Sequence, residues 1–126
     1  MHLISKLKTL SDRLYLGLAI FWTLLTLWLS LIAARKASKF NLWDFVGFDK
    51  LAHLTFYAVF IVLWLMAVRA KNINDKFVFF FSISFGVLME ICQFWLFNGR
   101  SFELYDILAN IVGSIVGVVL FKIFIN

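Results

Sequence analysis

FVFFFSISFGVLMEICQFWLF, residues 77–97, decides the fold. It contains one charged side chain, Glu90, and one amide, Gln93. A helix of about 20 apolar residues crosses the hydrocarbon core of a bilayer, because each residue rises about 1.5 Å. Working outward, three more such runs appear. Tyr15 to Ala34 has no charge, Leu51 to Val68 is broken only by His53, and Ile107 to Phe121 is interrupted by Asn110 and small residues. With their flanking polar residues included, they predict spans at 15–34, 50–69, 77–97 and 106–125. The expected fold is all-α: a polytopic four-transmembrane-helix bundle filling one domain, 1–126.

Composition supports this reading. Of the 126 residues, 63% are hydrophobic, and the mean hydropathy is +0.96. Soluble domains are about 45–50% apolar, and a chain this short cannot hide such an excess in a water-soluble core. Proline is absent, which suits uninterrupted helices. A transmembrane barrel would instead alternate polar and apolar residues in segments of about 10. The net charge of +5 suits anionic headgroups. The basic residues are divided among short loops, so no nucleic-acid partner is expected. Cys92 is the single cysteine; it permits no intramolecular disulfide and reads as a small buried residue.

The first span resembles a signal peptide in its basic flank of Lys6, Lys8 and Arg13. Its apolar run exceeds a signal core of about 7–15 residues, so it reads as a retained anchor. Between the first two spans, residues 36–48 read KASKFNLWDFVGF. This aromatic segment is too short to span and suits a short interfacial helix or re-entrant turn, with Trp43 at headgroup level.

Orientation follows from Lys and Arg near the span ends. Seven lie with the termini and the 69–76 loop: Lys6, Lys8, Arg13, Arg69, Lys71, Lys76 and Lys122. Five lie on the other side: Arg35, Lys36, Lys39, Lys50 and Arg100. The expectation is a cytoplasmic (inner) membrane protein with both termini in the cytoplasm.

Intramembrane polar residues are costly and mark function by default. Asp49, His53 and Tyr57 recur every fourth residue and share one helix face. Ser82, Gly86, Glu90 and Gln93 form a stripe on the third span. Asp106, Asn110, Gly113 and Gly117 form one on the fourth. All the ionisable members fall toward the expected outer leaflet, near Lys50 and Arg100, and predict a polar pocket there. Structural roles compete with functional ones. Asp49 and Asp106 suit helix caps, Asn110 and Gln93 suit interhelical hydrogen bonds, and Gly86, Gly113 and Gly117 suit close helix packing. Glu90 is the hardest to explain structurally, since a carboxylate at that depth needs a partner or a proton. His53, Lys50 and Arg100 are its expected partners.

In order along the chain stand Asp49-Lys50-Leu-Ala-His53 with Tyr57, Glu90-Ile-Cys-Gln93, Gly99-Arg100-Ser101, and Asp106-Ile-Leu-Ala-Asn110-Ile-Val-Gly113 with Gly117. This series resembles the VanZ-like membrane proteins, over roughly residues 45 to 120. Each piece is weak alone, and the ordered set is specific. The resemblance implies a bacterial envelope protein of a family named for a link to teicoplanin resistance. It does not imply a reaction. A more distant likeness to membrane enzymes acting on lipid phosphate headgroups is an analogy of fold.

Three function classes follow. The first is a lipid headgroup phosphodiester hydrolase or transferase acting on a phospholipid or a lipid-linked cell-wall precursor. In it, His53 is nucleophile or general base with Asp49 orienting its ring, and Glu90 is a second acid or base. Lys50 and Arg100 bind phosphate oxygens, and Tyr57, Gln93 and Asn110 line the pocket. A divalent cation would reconcile Asp49 and Asp106 with a phosphate. The second class is a non-catalytic protein that binds or shields such a precursor through the same residues. The third is a small transporter subunit, disfavoured because the polar stripe fades around Leu63, Trp64 and Leu65.

Overall fold

The computed structural model describes residues 12–37, 48–96 and 104–125. Four helices account for nearly all of them: α1 Asp12–Ala37, α2 Phe48–Val68, α3 Asp75–Leu96 and α4 Leu104–Phe124. No strand occurs among the described residues. Each helix contains a stretch of 19 to 21 residues long and apolar enough to cross a membrane. Helices satisfy every backbone group internally, which the bilayer core requires. The protein is therefore an all-α, multi-pass membrane bundle. The interfacial segment expected at 36–48 falls largely outside the described residues. Its ends do not: Lys36 and Ala37 continue α1, and Phe48 belongs to α2.

Between α2 and α3 the chain reverses tightly. A single 3-10 turn, Arg69–Lys71, leads to Asn72 in the left-handed region at φ 54°, where asparagine is tolerated better than most residues. Asn74 then caps α3. Its Oδ1 accepts the Lys76 N–H at 3.0 Å and its carbonyl accepts the Phe77 N–H at 3.0 Å. The cap draws Asp75 and Lys76 into the helix, two residues before the expected start of the span.

The closest packing joins α2 to α4. A Cβ added to Gly113 would lie 2.2 Å from the Leu54 carbonyl oxygen, and one added to Gly117 would lie 2.6 Å from that of Ala58. Only glycine permits that approach, and the four-residue spacing repeats it one turn later. On the other side of α2, α1 is tied by indole hydrogen bonds. The Trp22 N–H donates to the Phe56 carbonyl at 2.9 Å, and the Trp64 N–H donates to the Thr23 hydroxyl at 3.0 Å. Trp22 also stacks on Phe56, with ring centroids 4.9 Å apart. An aromatic layer joins α2 to α3, with Phe60 stacked on Phe81 and Phe85.

The bundle has two unlike halves. Around the 69–75 turn, Tyr15, Ala19, Ile61, Leu65, Met66, Val78 and Phe121 form an apolar core. The opposite half, where α2 and α4 begin and α3 ends, holds the buried Glu90, Gln93, Asp106 and Asn110. Trp95 and Tyr105 are exposed at that end, as suits aromatic residues at a headgroup boundary.

Candidate functional site

Asp106 is the centre of the polar half. It lies in the first turn of α4, and its side chain is 0% exposed. The Lys50 ammonium, from the first turn of α2, donates to Asp106 Oδ1. His53, one turn further along α2, presents Nε2 to Asp106 Oδ2 at 3.7 Å. Its other nitrogen, Nδ1, lies 2.9 Å from Asn110 Oδ1. An amide oxygen only accepts, so Nδ1 donates and Nε2 is the nitrogen turned to Asp106. One carboxylate is thus shared between a lysine and a histidine, and an amide one turn deeper fixes the ring.

Accessibility falls steadily inward. Lys50 is 34% exposed and His53 16%, whereas Asp106 is fully covered. A ligand arriving from this end therefore meets the cation and the imidazole first, with the carboxylate behind them.

The third helix closes the site. Ser82 and Ser114 share a hydrogen bond of 2.7 Å. One turn toward the polar end, a Cβ on Gly86 would lie 2.9 Å from Asn110 Nδ2 and 3.3 Å from Tyr57 Cε1. The two helices run antiparallel, so the next turn brings Glu90 to the level of Asp106. Glu90 is buried and lies within electrostatic range of the Tyr57 hydroxyl, itself buried. Gln93, one turn further, reaches α1 instead. Its Nε2 donates to the Ser30 carbonyl at 2.8 Å. Among the described residues, no three His, Cys, Asp or Glu side chains form a group able to hold a metal.

The structure thus brings Lys50, His53, Asp106 and Asn110 into direct contact, with Gly86 and Tyr57 against Asn110. Glu90 and Gln93 stand on the facing helix. The side chain of Asp49 and all of Arg100 lie outside the described residues. The ring-orienting partner expected for His53 was Asp49, on its own helix. That expectation falls on a side chain outside the described residues, and the partner described at Nδ1 is Asn110, on another helix. Ser114 went unremarked in the sequence, although Asp106, Asn110 and Ser114 recur every fourth residue. It is fully buried, and besides bonding Ser82 it donates to the Asn110 carbonyl at 2.9 Å.

This geometry belongs to a chain whose residues 5–125 match the VanZ/LLP1 family model. The protein is a member of the VanZ-like family. The match runs from before α1 to the end of α4, so the first helix is part of the VanZ-like unit and not an appendage to it. No curated protein and no solved structure matches the chain.

Proposed function

We propose that the protein binds the phosphate of an envelope lipid headgroup, a phospholipid or a lipid-linked cell-wall precursor, at the mouth formed by Lys50 and His53. The supporting observation is the sharing of Asp106. Its two oxygens face two different cationic or protonatable groups, and both of those groups reach the surface while the carboxylate does not. An incoming phosphate offers Lys50 a further anionic partner. A movement of about 1 Å then brings Asp106 Oδ2 within hydrogen-bond reach of His53 Nε2. The N-termini of α2 and α4 converge on the same place and add backbone N–H groups that favour an anion. The site faces the outer leaflet in the orientation set by the basic loop residues.

Binding is favoured over nucleophilic catalysis because both ring nitrogens of His53 are directed at protein atoms, Nδ1 at Asn110 and Nε2 at Asp106. A nucleophilic histidine needs one nitrogen facing the substrate. The Asp106–His53 pair keeps an acid–base reading in view as the second possibility, with headgroup hydrolysis as its reaction. Shielding a lipid-linked precursor from a glycopeptide such as teicoplanin is the physiological role that fits the binding reading.

The test uses purified protein in nanodiscs with defined phospholipids, with and without divalent cations. Phosphate-lipid binding that falls at least about tenfold in Lys50→Met supports the proposal. Equal binding by the wild type and that variant would sink it. Release of a headgroup that is lost in His53→Ala would move the assignment to the hydrolase.

A further inference from the structure

Only one of the two polar atoms of the Gln93 amide is hydrogen-bonded. Its Nε2 is committed to the Ser30 carbonyl, and its Oε1 has no hydrogen-bond partner, although the residue is 3% exposed. An amide oxygen buried beside lipid is costly to leave without a donor. Phenylalanine or leucine would fill such a position in a bundle built only for packing.

The position of this acceptor is informative. Gln93 stands one turn beyond Glu90 on the same face of α3. Glu90 stands one turn beyond Gly86, which packs against Asn110, the residue that holds His53. The polar face of α3 is thus continuous from the phosphate mouth to Gln93. Along it lie one buried carboxylate and one buried, unpaired amide oxygen, both of them acceptors. Lys50 and His53 thus stand on α2, whereas the acceptors Glu90 and Gln93 stand on α3.

We propose that α3 forms a second subsite, in which Gln93 Oε1 and Glu90 accept hydrogen bonds from the part of the headgroup beyond the phosphate. The preferred ligand is then a phospholipid whose headgroup carries N–H or O–H donors. A bare phosphomonoester or a fully methylated ammonium does not complete the site. This rests on the phosphate reading above and adds the identity of the group attached to the phosphate.

Competition in nanodiscs among phosphatidylethanolamine, phosphatidylglycerol, phosphatidylcholine and phosphatidate separates the terms, with bound lipid counted by native mass spectrometry. Phosphatidylethanolamine and phosphatidylcholine carry the same charges and differ in having or lacking N–H groups. The expected result is a preference of at least about tenfold for one or both donor-bearing lipids over phosphatidylcholine and phosphatidate. A preference for ethanolamine alone identifies an ammonium as the donor, and one for glycerol alone a hydroxyl. Gln93→Met should abolish the preference and leave total phosphate-lipid binding in place. Gln93→Glu, which retains an acceptor oxygen, should keep it. Phosphatidylcholine binding as tightly as the donor-bearing lipids in the wild type would overturn the inference without any variant having to fold. Loss of all dependence on Lys50 would instead remove the phosphate reading on which it stands.

Discussion

The two halves of this bundle use the same four helices and solve opposite problems. Around the 69–75 turn the interior is Ile61, Leu65, Met66, Val78 and Phe121, with Tyr15 beneath the Arg69 guanidinium at 5.9 Å. Those five aliphatic and aromatic side chains carry no hydrogen-bonding group, and their shapes hold them together. In the opposite half every buried side chain among Glu90, Asp106, Asn110 and Gln93 needs a hydrogen bond or an opposite charge. Lipid offers no solvation for such groups. Apolar residues therefore set the helices against one another at one end, and the other end exploits that fixed geometry to hold groups that would not stay buried by themselves. The boundary between the halves is the Ser82–Ser114 hydrogen bond together with Gly113 and Gly117.

Breaking that boundary should have the largest effect. Gly113→Ala places a methyl group 2.2 Å from the Leu54 carbonyl oxygen, which neither backbone can avoid without α2 and α4 separating. A loss of about 3 kcal/mol is expected, read by unfolding in mixed detergent micelles. A change within about 0.5 kcal/mol would mean the backbones are not in contact.

Next come the two members of the ion pair, which should not be equivalent. Lys50→Met leaves a fully covered carboxylate and should cost about 3 kcal/mol. Asp106→Leu leaves an ammonium that already reaches the surface and can extend further, so about 1–2 kcal/mol is expected. Equal costs would show that Asp106 is hydrated in place.

Leu65→Ala probes the apolar half. Lipid tails are as apolar as leucine, so only the cavity term remains, about 1–2 kcal/mol. Phosphate-lipid binding should be unchanged, and a parallel drop in binding would show that the two halves are coupled. The smallest effect belongs to Ser114→Ala, where an interhelical hydrogen bond within a membrane averages about 0.6 kcal/mol. Its loss should nevertheless disturb the register that sets Glu90 level with Asp106, detectable as cross-linking of a cysteine pair at 90 and 106 that weakens while the fold persists.

The spans were legible in the sequence because hydropathy over about 20 residues depends on composition alone, and the structural stretches differ from the expected ones by only a few residues. The membership of the polar half was also legible, since a four-residue period places side chains on one face. Pairing was less legible. Periodicity says which residues of a helix share a face and nothing about which facing helix answers them. Nothing in the period of α2 points to Asn110, 57 positions away, which lies against His53 Nδ1. Ser114 was overlooked for a related reason: between two glycines of a packing motif, a serine reads as one more small residue. Its role depends on Ser82, which only the fold brings near.

The ion pair also has a consequence for synthesis. Lys50 and Asp106 are 56 positions apart, so at about 5–20 residues per second the acid leaves the ribosome roughly 3–11 s after the base. For that interval Lys50 lacks Asp106 and His53 lacks Asn110, which favours residence of the second helix beside the translocation machinery over lipid. The fourth helix is then the piece that releases the second into lipid, and a nascent chain arrested before residue 104 should remain associated with the insertase.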